Sequence, residues 1–453
     1  MKHIKTAKII EGCLLWSLLV ATSALAATPE SYRKFWRDPA LNERIERNIE
    51  KYRKSDASIK VLDAAGKPVS GAKIQLQQTS HEFLFGCNAF VLGQLDTPEK
   101  ERRYEEAFVK LFNFATVPFY WAGTEPVQGE LRYSEPASDI WRRPPPERFL
   151  AWAATNHITL KGHPLLWHAH NPTWLPKDAD QLRELYRKRF REIAGRFGSK
   201  IPVFEVVNES LVCDKQYPLL TPDRDYVRWA FKEAVPLFPA TTMTMINEVT
   251  SFNFIPFEAN PYVAQIRRLL EEGAQIRGIG LQYHFFRRNA LDSYLAGTNS
   301  NPNNLLDLYE KFSEFKLPLY ITEITIASAD EGGAELQAEV VRDHYRLWFA
   351  APNMAGITWW NLGDGTAVKG ENEAQGGLLD AEFKPKPAYR ALDELINQQW
   401  TTHAKDQTDA LGHAQFRGFH GDYTVTAQAG GKTVKQTFKL NKGEKPNEWV
   451  VRF

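Results

Sequence analysis

The sequence predicts an α/β fold, a (β/α)8 barrel with a small β-sandwich formed by segments that flank it. Three observations carry this. Across 80–400, eight short apolar runs alternate with amphipathic helical stretches. Those runs are apolar throughout rather than at every second position, as expected of parallel strands covered on both faces. Outside that region, both ends of the chain hold strands of alternating polarity separated by turn residues. An open doubly wound sheet is the competing architecture, but no G-x-G-x-x-G turn follows any of the runs. At 453 residues, 43% hydrophobic and 25% charged, the chain can bury a large core and carry an added module.

Residues 1–26 read as a secretory signal peptide. Lys2, Lys5 and Lys8 precede the mostly apolar run 13–21, and Ala24-Leu25-Ala26 offers a small-x-small cleavage pattern. The run is too short to span a bilayer comfortably. The mature chain is therefore expected to be secreted or periplasmic, with no membrane attachment. The stretch 31–54 reads as one or two charged helices. Ile59-Lys60-Val61-Leu62 and Ala72-Lys73-Ile74-Gln75-Leu76 are strands joined by turn chemistry around Gly66 and Pro68. At the other end, 415–419, 422–427, 432–438 and 448–453 alternate in polarity, with Gly430-Gly431 supplying a hairpin turn. Segments 27–82 and 399–453 are expected to form one sandwich around a barrel at 83–398.

The barrel strands are expected at 83–86, 113–116, 158–161, 202–207, 243–246, 278–281, 318–322 and 356–360. Helices are expected at 97–112, 178–197, 256–272, 304–315 and 334–350.

Lys+Arg number 56 against 55 Asp+Glu, so no net field draws nucleic acid or an anionic membrane. Aromatics at 12%, including 13 Trp, suit stacking on sugar rings, although most aromatics in any chain are core. Beyond the signal only Cys87 and Cys213 remain; no CxxC metal spacing is present, and whether the two pair is open.

In a barrel of this kind, function sits at the carboxyl ends of the strands. Two acids stand there: Glu209 after the fourth strand and Glu323 after the seventh, nearly across the mouth from one another. Facing carboxylates are what glycosidic bond cleavage uses, one protonating the leaving oxygen while the other attacks or activates water. A lone strand-end Glu is more often a cap or an ion-pair partner, so position alone does not decide. The third strand closes with His163, Trp167, His168 and His170, and the sixth with Gln282 and His284. His168-x-His170 has zinc-ligand spacing, but further ligands have no evident source. Donation to sugar hydroxyls and orientation of the carboxylates suit the same residues without a metal or other cofactor.

Taken together, these segments resemble glycoside hydrolase family 10, the barrel endo-β-1,4-xylanases. Phe204-Glu205-Val206-Val207-Asn208-Glu209 is similar to the family's acid/base signature, and Ile321-Thr322-Glu323-Ile324-Thr325-Ile326 to its nucleophile strand. Gly162-His163-Pro164-Leu165-Leu166-Trp167-His168 resembles the third-strand motif, Ile246-Asn247-Glu248 the fifth and Ile279-Gly280-Leu281-Gln282-Tyr283-His284 the sixth. Lys384-Pro385-Lys386-Pro387-Ala388-Tyr389 resembles the start of the last helix, and the order holds over 83–397. The resemblance implies a retaining double displacement, with Glu323 the nucleophile and Glu209 the general acid and then base. It implies that Asn208 bonds the hydroxyl beside the anomeric carbon. His284 would orient Glu323 and keep it ionised, and Trp167 and Trp360 would wall the site. His163, His168 and Gln282 would support the substrate. A polysaccharide or oligosaccharide substrate and a monomeric chain are expected. The flanking strands resemble an accessory sandwich of some bacterial and plant relatives.

The second strand departs from the pattern. Family members carry a Glu-Asn pair and a Lys at its end, where they grip sugars on the non-reducing side. Here Val117-Pro118-Phe119-Tyr120-Trp121 stands instead. The eighth loop, 364–368, lacks the second Trp. Another β-linked glycan is thus an alternative substrate, and a non-catalytic carbohydrate-binding barrel is a third reading.

Overall fold

The computed structural model describes residues 28–222, 224–443 and 447–453, so the expected signal segment lies outside the described residues. Helices Glu30–Trp36 and Pro39–Arg53 lead in, the second opened by Pro39 and by Asp38, whose carboxylate accepts from the Ala40 N–H. They lie against the barrel: Trp36 Nε1 donates to the Ser300 carbonyl at 2.8 Å and Arg37 pairs with Asp343. No helix among the described residues is long and apolar enough to cross a membrane.

Strands β1 (Lys54–Leu62) and β2 (Lys73–Gln78) come next in the chain. The barrel is then built from β3 (Leu84–Asn88), β4 (Phe114–Pro118), β5 (Thr159–His163), β6 (Val203–Asn208), β7 (Met243–Glu248), β8 (Gly278–Phe285), β9 (Leu319–Ile326) and β10 (Met354–Trp359). Each pairs in parallel with the next, and β10 closes on β3. All eight lie where the apolar runs place them. Their residues are almost wholly buried, as the absence of alternation requires. Helices Pro98–Leu111, Ala179–Phe197, Pro261–Glu271, Pro302–Lys311 and Gly333–Ala350 occupy the expected stretches. Thr97, Asp178, Asn260 and Asn301 cap the first four through their side chains. Helices Arg148–Asn156, Asp225–Ala234, Arg288–Ala296 and Pro387–Asp393 complete the ring.

After the barrel come β11 (His403–Gln407), β12 (His413–Phe419), β13 (Gly421–Ala429), β14 (Lys432–Leu440) and β15 (Asn447–Arg452). They join β1 and β2 in two sheets, ordered β12-β1-β15 and β11-β2-β13-β14. One apolar core lies between the sheets, with Ile59, Val61, Ile74, Leu76, Tyr423, Val425, Trp449 and Val451 buried together. Tyr423 and Trp449 are buried in this core, and Phe419 is buried with the barrel's apolar cluster. Cys87 and Cys213 are both buried free thiols.

Two barrel strands are irregular just ahead of the candidate acids. Between β6 and β7 the register steps from Glu205↔Met245 to Val207↔Ile246, leaving Val206 as an extra residue. Between β8 and β9 it steps from Leu281↔Ile321 to Gln282↔Glu323, leaving Thr322 extra. Bulges of this kind re-aim the side chains that follow them.

Candidate active site

Glu209 sits one residue beyond β6 with a left-handed backbone (φ 55°), its N–H bonded to the Asn247 carbonyl at 2.9 Å. A non-glycine residue in that region is strained and is held by its surroundings. Glu323 lies within β9 rather than after it, since the strand continues to Ile326. The bulge at Thr322 puts Glu323 level with Gln282. Room beneath comes from Gly280: a Cβ there would stand 2.6 Å from Asn247 Oδ1 and 2.7 Å from Thr322 Cγ2.

One amide ties the two acids together. Gln282 Nε2 donates to Glu209 Oε1 at 2.7 Å and reaches Glu323 Oε1 at 3.4 Å. Those two legs bring an oxygen of each carboxyl to no more than about 6 Å from the other; retaining sites hold their carboxyls ~5–5.5 Å apart and inverting ones ~6.5–9.5 Å. Trp167 Nε1 donates to Glu209 Oε2 at 3.1 Å. Asn247 Nδ2 donates both to Glu323 Oε1 and to Asn208 Oδ1, each at 3.1 Å, so Asn208 joins the pair through Asn247. His284 Nε2 lies 3.2 Å from Glu323 Oε2, and its Nδ1 lies 3.0 Å from Thr325 Oγ1.

Burial raises the carboxyl of Glu209 above the usual range, against the donors Gln282 and Trp167. Burial also pushes Glu323 up to about 8, with the nearby Glu205 and Glu209 adding to the rise. Two such groups sharing an amide hold one proton between them rather than two charges. His284 is brought down to about 4 by burial, so it is neutral at pH 7. His284 can thus orient Glu323 and favour its anion only as a neutral donor, not as a cation. With its proton on Nε2 it donates a neutral hydrogen bond, while Nδ1 accepts from Thr325.

Beneath the pair lies a buried charge cluster. Lys161 Nζ is 3.3 Å from Glu205 Oε2, and His163 Nδ1 is 3.0 Å from Glu205 Oε1. Burial alone would raise Glu205, but His163 and Lys161 together hold it below the usual carboxylate range. His163, Glu205 and Glu323 bring ligand-type atoms within 4.8 Å of one another. The Lys161 ammonium already supplies the cation that Glu205 needs, so this donor set does not fit a metal. Glu248, on β7, is pushed up to about 8 by burial while accepting from Leu211 N–H and Ser210 Oγ.

The side of the mouth formed by β3, β4, β5 and β10 is aromatic. Phe90, Tyr120 and Trp360 are buried together with Trp167 packed against them. His163 Nε2 meets Tyr120 Oη at 3.2 Å, and its ring stands edge-on to Trp360. Of the residues the sequence singled out, Glu209, Glu323, Gln282, His284 and Trp167 meet directly. Asn208, His163 and Trp360 sit one contact away. His168 does not reach the acids: its ring packs against Trp167 and Tyr217, and its Nδ1 is buried without a partner.

Sequence reasoning passed over Asn247 and Thr325, which bond Glu323 and its histidine. Asn247 stood in the fifth-strand motif, so a signal existed. The arginines of the 140–143 loop carried none.

Comparison with known proteins bears on the family and the fold. The family model for glycosyl hydrolase family 10 matches residues 127–395. Anti-sigma-I factor RsgI6 of Acetivibrio thermocellus is 27% identical over 414 residues, covering 90% of this chain and 49% of that protein. Endo-1,4-beta-xylanase 1 of Arabidopsis thaliana is 25% identical over 410 residues, 88% of this chain and 39% of that one. The chain thus spans half or less of the length of these relatives. Xylanase 10B from Thermotoga petrophila RKU-1, solved with xylobiose, shares the fold with a TM-score of 0.57 at 22% identity, covering 70% of this chain and 95% of its own. With the family model covering more than half of the chain and the bulged β6 and β9 presenting its two acids, the chain belongs to glycosyl hydrolase family 10.

Proposed function

We propose that this is a secreted, monomeric, retaining endo-β-1,4-glycanase that cleaves plant-wall xylan by double displacement. The observation that carries the reading is the Gln282 amide held between Glu209 and Glu323. Asn247 and His284 bond Glu323 and not Glu209, which favours the anion on Glu323 and leaves the pair's proton on Glu209. Glu323 then attacks the anomeric carbon while Glu209 protonates the departing glycosidic oxygen. A covalent glycosyl-enzyme results, and Glu209, now a base, takes a proton from the water that releases it. The xylanase names of several relatives and the xylobiose bound to a structural neighbour support xylan as the polymer. The aromatic side of the mouth favours a second reading in which the same chemistry serves another β-linked glycan.

The test is reducing-sugar release from arabinoxylan, glucuronoxylan, glucomannan and mixed-linkage glucan, with Glu323→Ala as control. Proton NMR of the first product reads its anomeric configuration. A β-anomer from xylan, lost in the variant, is expected. An α-anomer would overturn retention, and release confined to another polymer would move the substrate. Silence throughout would bring forward a carbohydrate-binding protein.

A further inference from the structure

We propose that Arg143 recognises a carboxylate on the glycan held against the aromatic side of the mouth, so that the protein selects acidic β-glycans. This rests on the glycanase reading and names the substrate class of the same cleft. Arg143 crosses helix Trp121–Thr124 at Gly123, where an added Cβ would stand 2.9–3.0 Å from its Cδ, Cβ and Cγ. That crossing sets the guanidinium over the Tyr120 ring, its central carbon 3.8 Å from the ring centroid, the distance of a stacked contact. Tyr120 in turn touches His163 and Trp167, and Trp167 bonds Glu209. The cation is therefore fixed two contacts from the general acid.

A stacked guanidinium uses its face and leaves its N–H edge free, and that edge matches a carboxylate in bidentate fashion. Nη1 donates to the Arg142 carbonyl at 2.8 Å. Among the described residues its other N–H groups bond no protein atom, and no carboxylate lies within ion-pair distance. The residue is half-buried. Its neighbour is different. Arg142 is buried, its Nη1 bonded to Asn361 Oδ1 at 2.5 Å and to the Thr366 carbonyl, and its Nε is enclosed without a partner, out of reach of a ligand. Glu371, the acid whose charge Arg143 feels, accepts instead from Asn361 Nδ2. Neither guanidinium has an ion-pair partner among the described residues, and Glu371 acts on both only through space. Two residues before Arg143 in the same loop, Trp141 is 48% exposed, a ring of the kind on which a sugar can lie.

The acid can be a uronate branch or a uronate in the backbone, and three probes separate these. Glucuronoxylan carries it as a branch, β-1,4-glucuronan carries it in the chain, and carboxyl-reduced glucuronoxylan is the neutral match. Kinetics are read for the wild type, Arg143→Met (which keeps the stem across Gly123) and Arg143→Lys. The wild type is expected to favour an acidic polymer over its reduced form by about 10-fold or more in kcat/KM. Arg143→Met should lose about that factor on the acidic polymer, through KM, and change less than about 3-fold on the neutral one; Arg143→Lys should recover part of it. Whichever acidic polymer shows the preference identifies the source. Equal losses on acidic and neutral polymers would overturn the proposal and make Arg143 a brace for Tyr120. Equal rates of the wild type on both polymers would overturn it as well. If nothing is cleaved, the glycanase reading fails by itself. Calorimetric binding of the acidic and reduced polymers, with and without Arg143→Met, then decides the role of Arg143: binding blind to the carboxyl overturns it, and a carboxyl-dependent signal lost in the variant supports it.

Discussion

The floor of the cleft and its aromatic side are built in opposite ways. On the floor, β6, β7, β8 and β9 contribute Glu209, Asn247, Gln282, His284 and Glu323, and each polar atom is aimed by a partner. The side near β4 offers rings and guanidiniums, which touch one another mainly through faces and edges. Directional bonds hold a reacting atom in place, whereas ring faces tolerate a change of sugar. A family chain can therefore keep its reaction geometry on the floor and exchange its grip on the side.

Four measurements break or sharpen that contrast. Glu209→Gln, on the floor, should lower kcat on natural polymer by about 10²–10⁴-fold. An activated aryl glycoside, whose leaving group needs no proton, should suffer much less in its first step. Equal losses on both substrates would remove Glu209 from the acid role. Trp167→Phe spans both regions, keeping the ring and deleting the N–H on Glu209. Loss of that donor should lower kcat by about 10-fold and move the alkaline limb of kcat/KM to higher pH, since the bond favours the carboxylate. A limb that stays put or moves down would contradict the geometry. Tyr120→Ala, on the side, should raise KM by about 3–10-fold and leave the pH profile alone; a shifted profile would make the side part of the floor. The smallest effect concerns stability. Folded, the carboxyl pair keeps its one shared proton up to about 8 rather than to an ordinary 4.5, and so binds it more tightly than the unfolded chain does. Its contribution is full below the lower value and is lost as pH rises through the upper one. Glu323→Gln lacks that loss, so its melting temperature should gain a few °C on the wild type between pH 5 and pH 9. A gap that stays constant would show that Glu323 titrates normally.

The floor was largely legible in the sequence because strand ends and residue types coincide there: Asn208-Glu209, Gln282 and Glu323 each close an apolar run. The bulges at Val206 and Thr322 were not, since a one-residue register shift leaves no mark on composition. The neutrality of His284 depends on how deeply it is buried, which sequence does not state. His168 shares its motif with Trp167 yet turns toward Tyr217, because neighbours in an irregular loop need not share a face. Most barrel helices announced themselves by periodicity. Arg148–Asn156 is short, and no side chain caps its start, so it left little signal. Strand β11 is an exposed edge, polar along nearly its whole length, and shows no apolar alternation.

The pairing of β1 imposes an order of assembly. Ile59 faces Ala414 on one side and Trp449 on the other, so β1 leaves the ribosome hundreds of residues ahead of both partners. Until the barrel between them has been made, that strand has two open edges, and closing so long a loop early is entropically unfavourable. The barrel's own fold brings Leu84 and Trp359 onto adjacent strands, which shortens the effective loop before the sheets meet. Closure of the sandwich is thus expected after the barrel that joins its two halves in sequence.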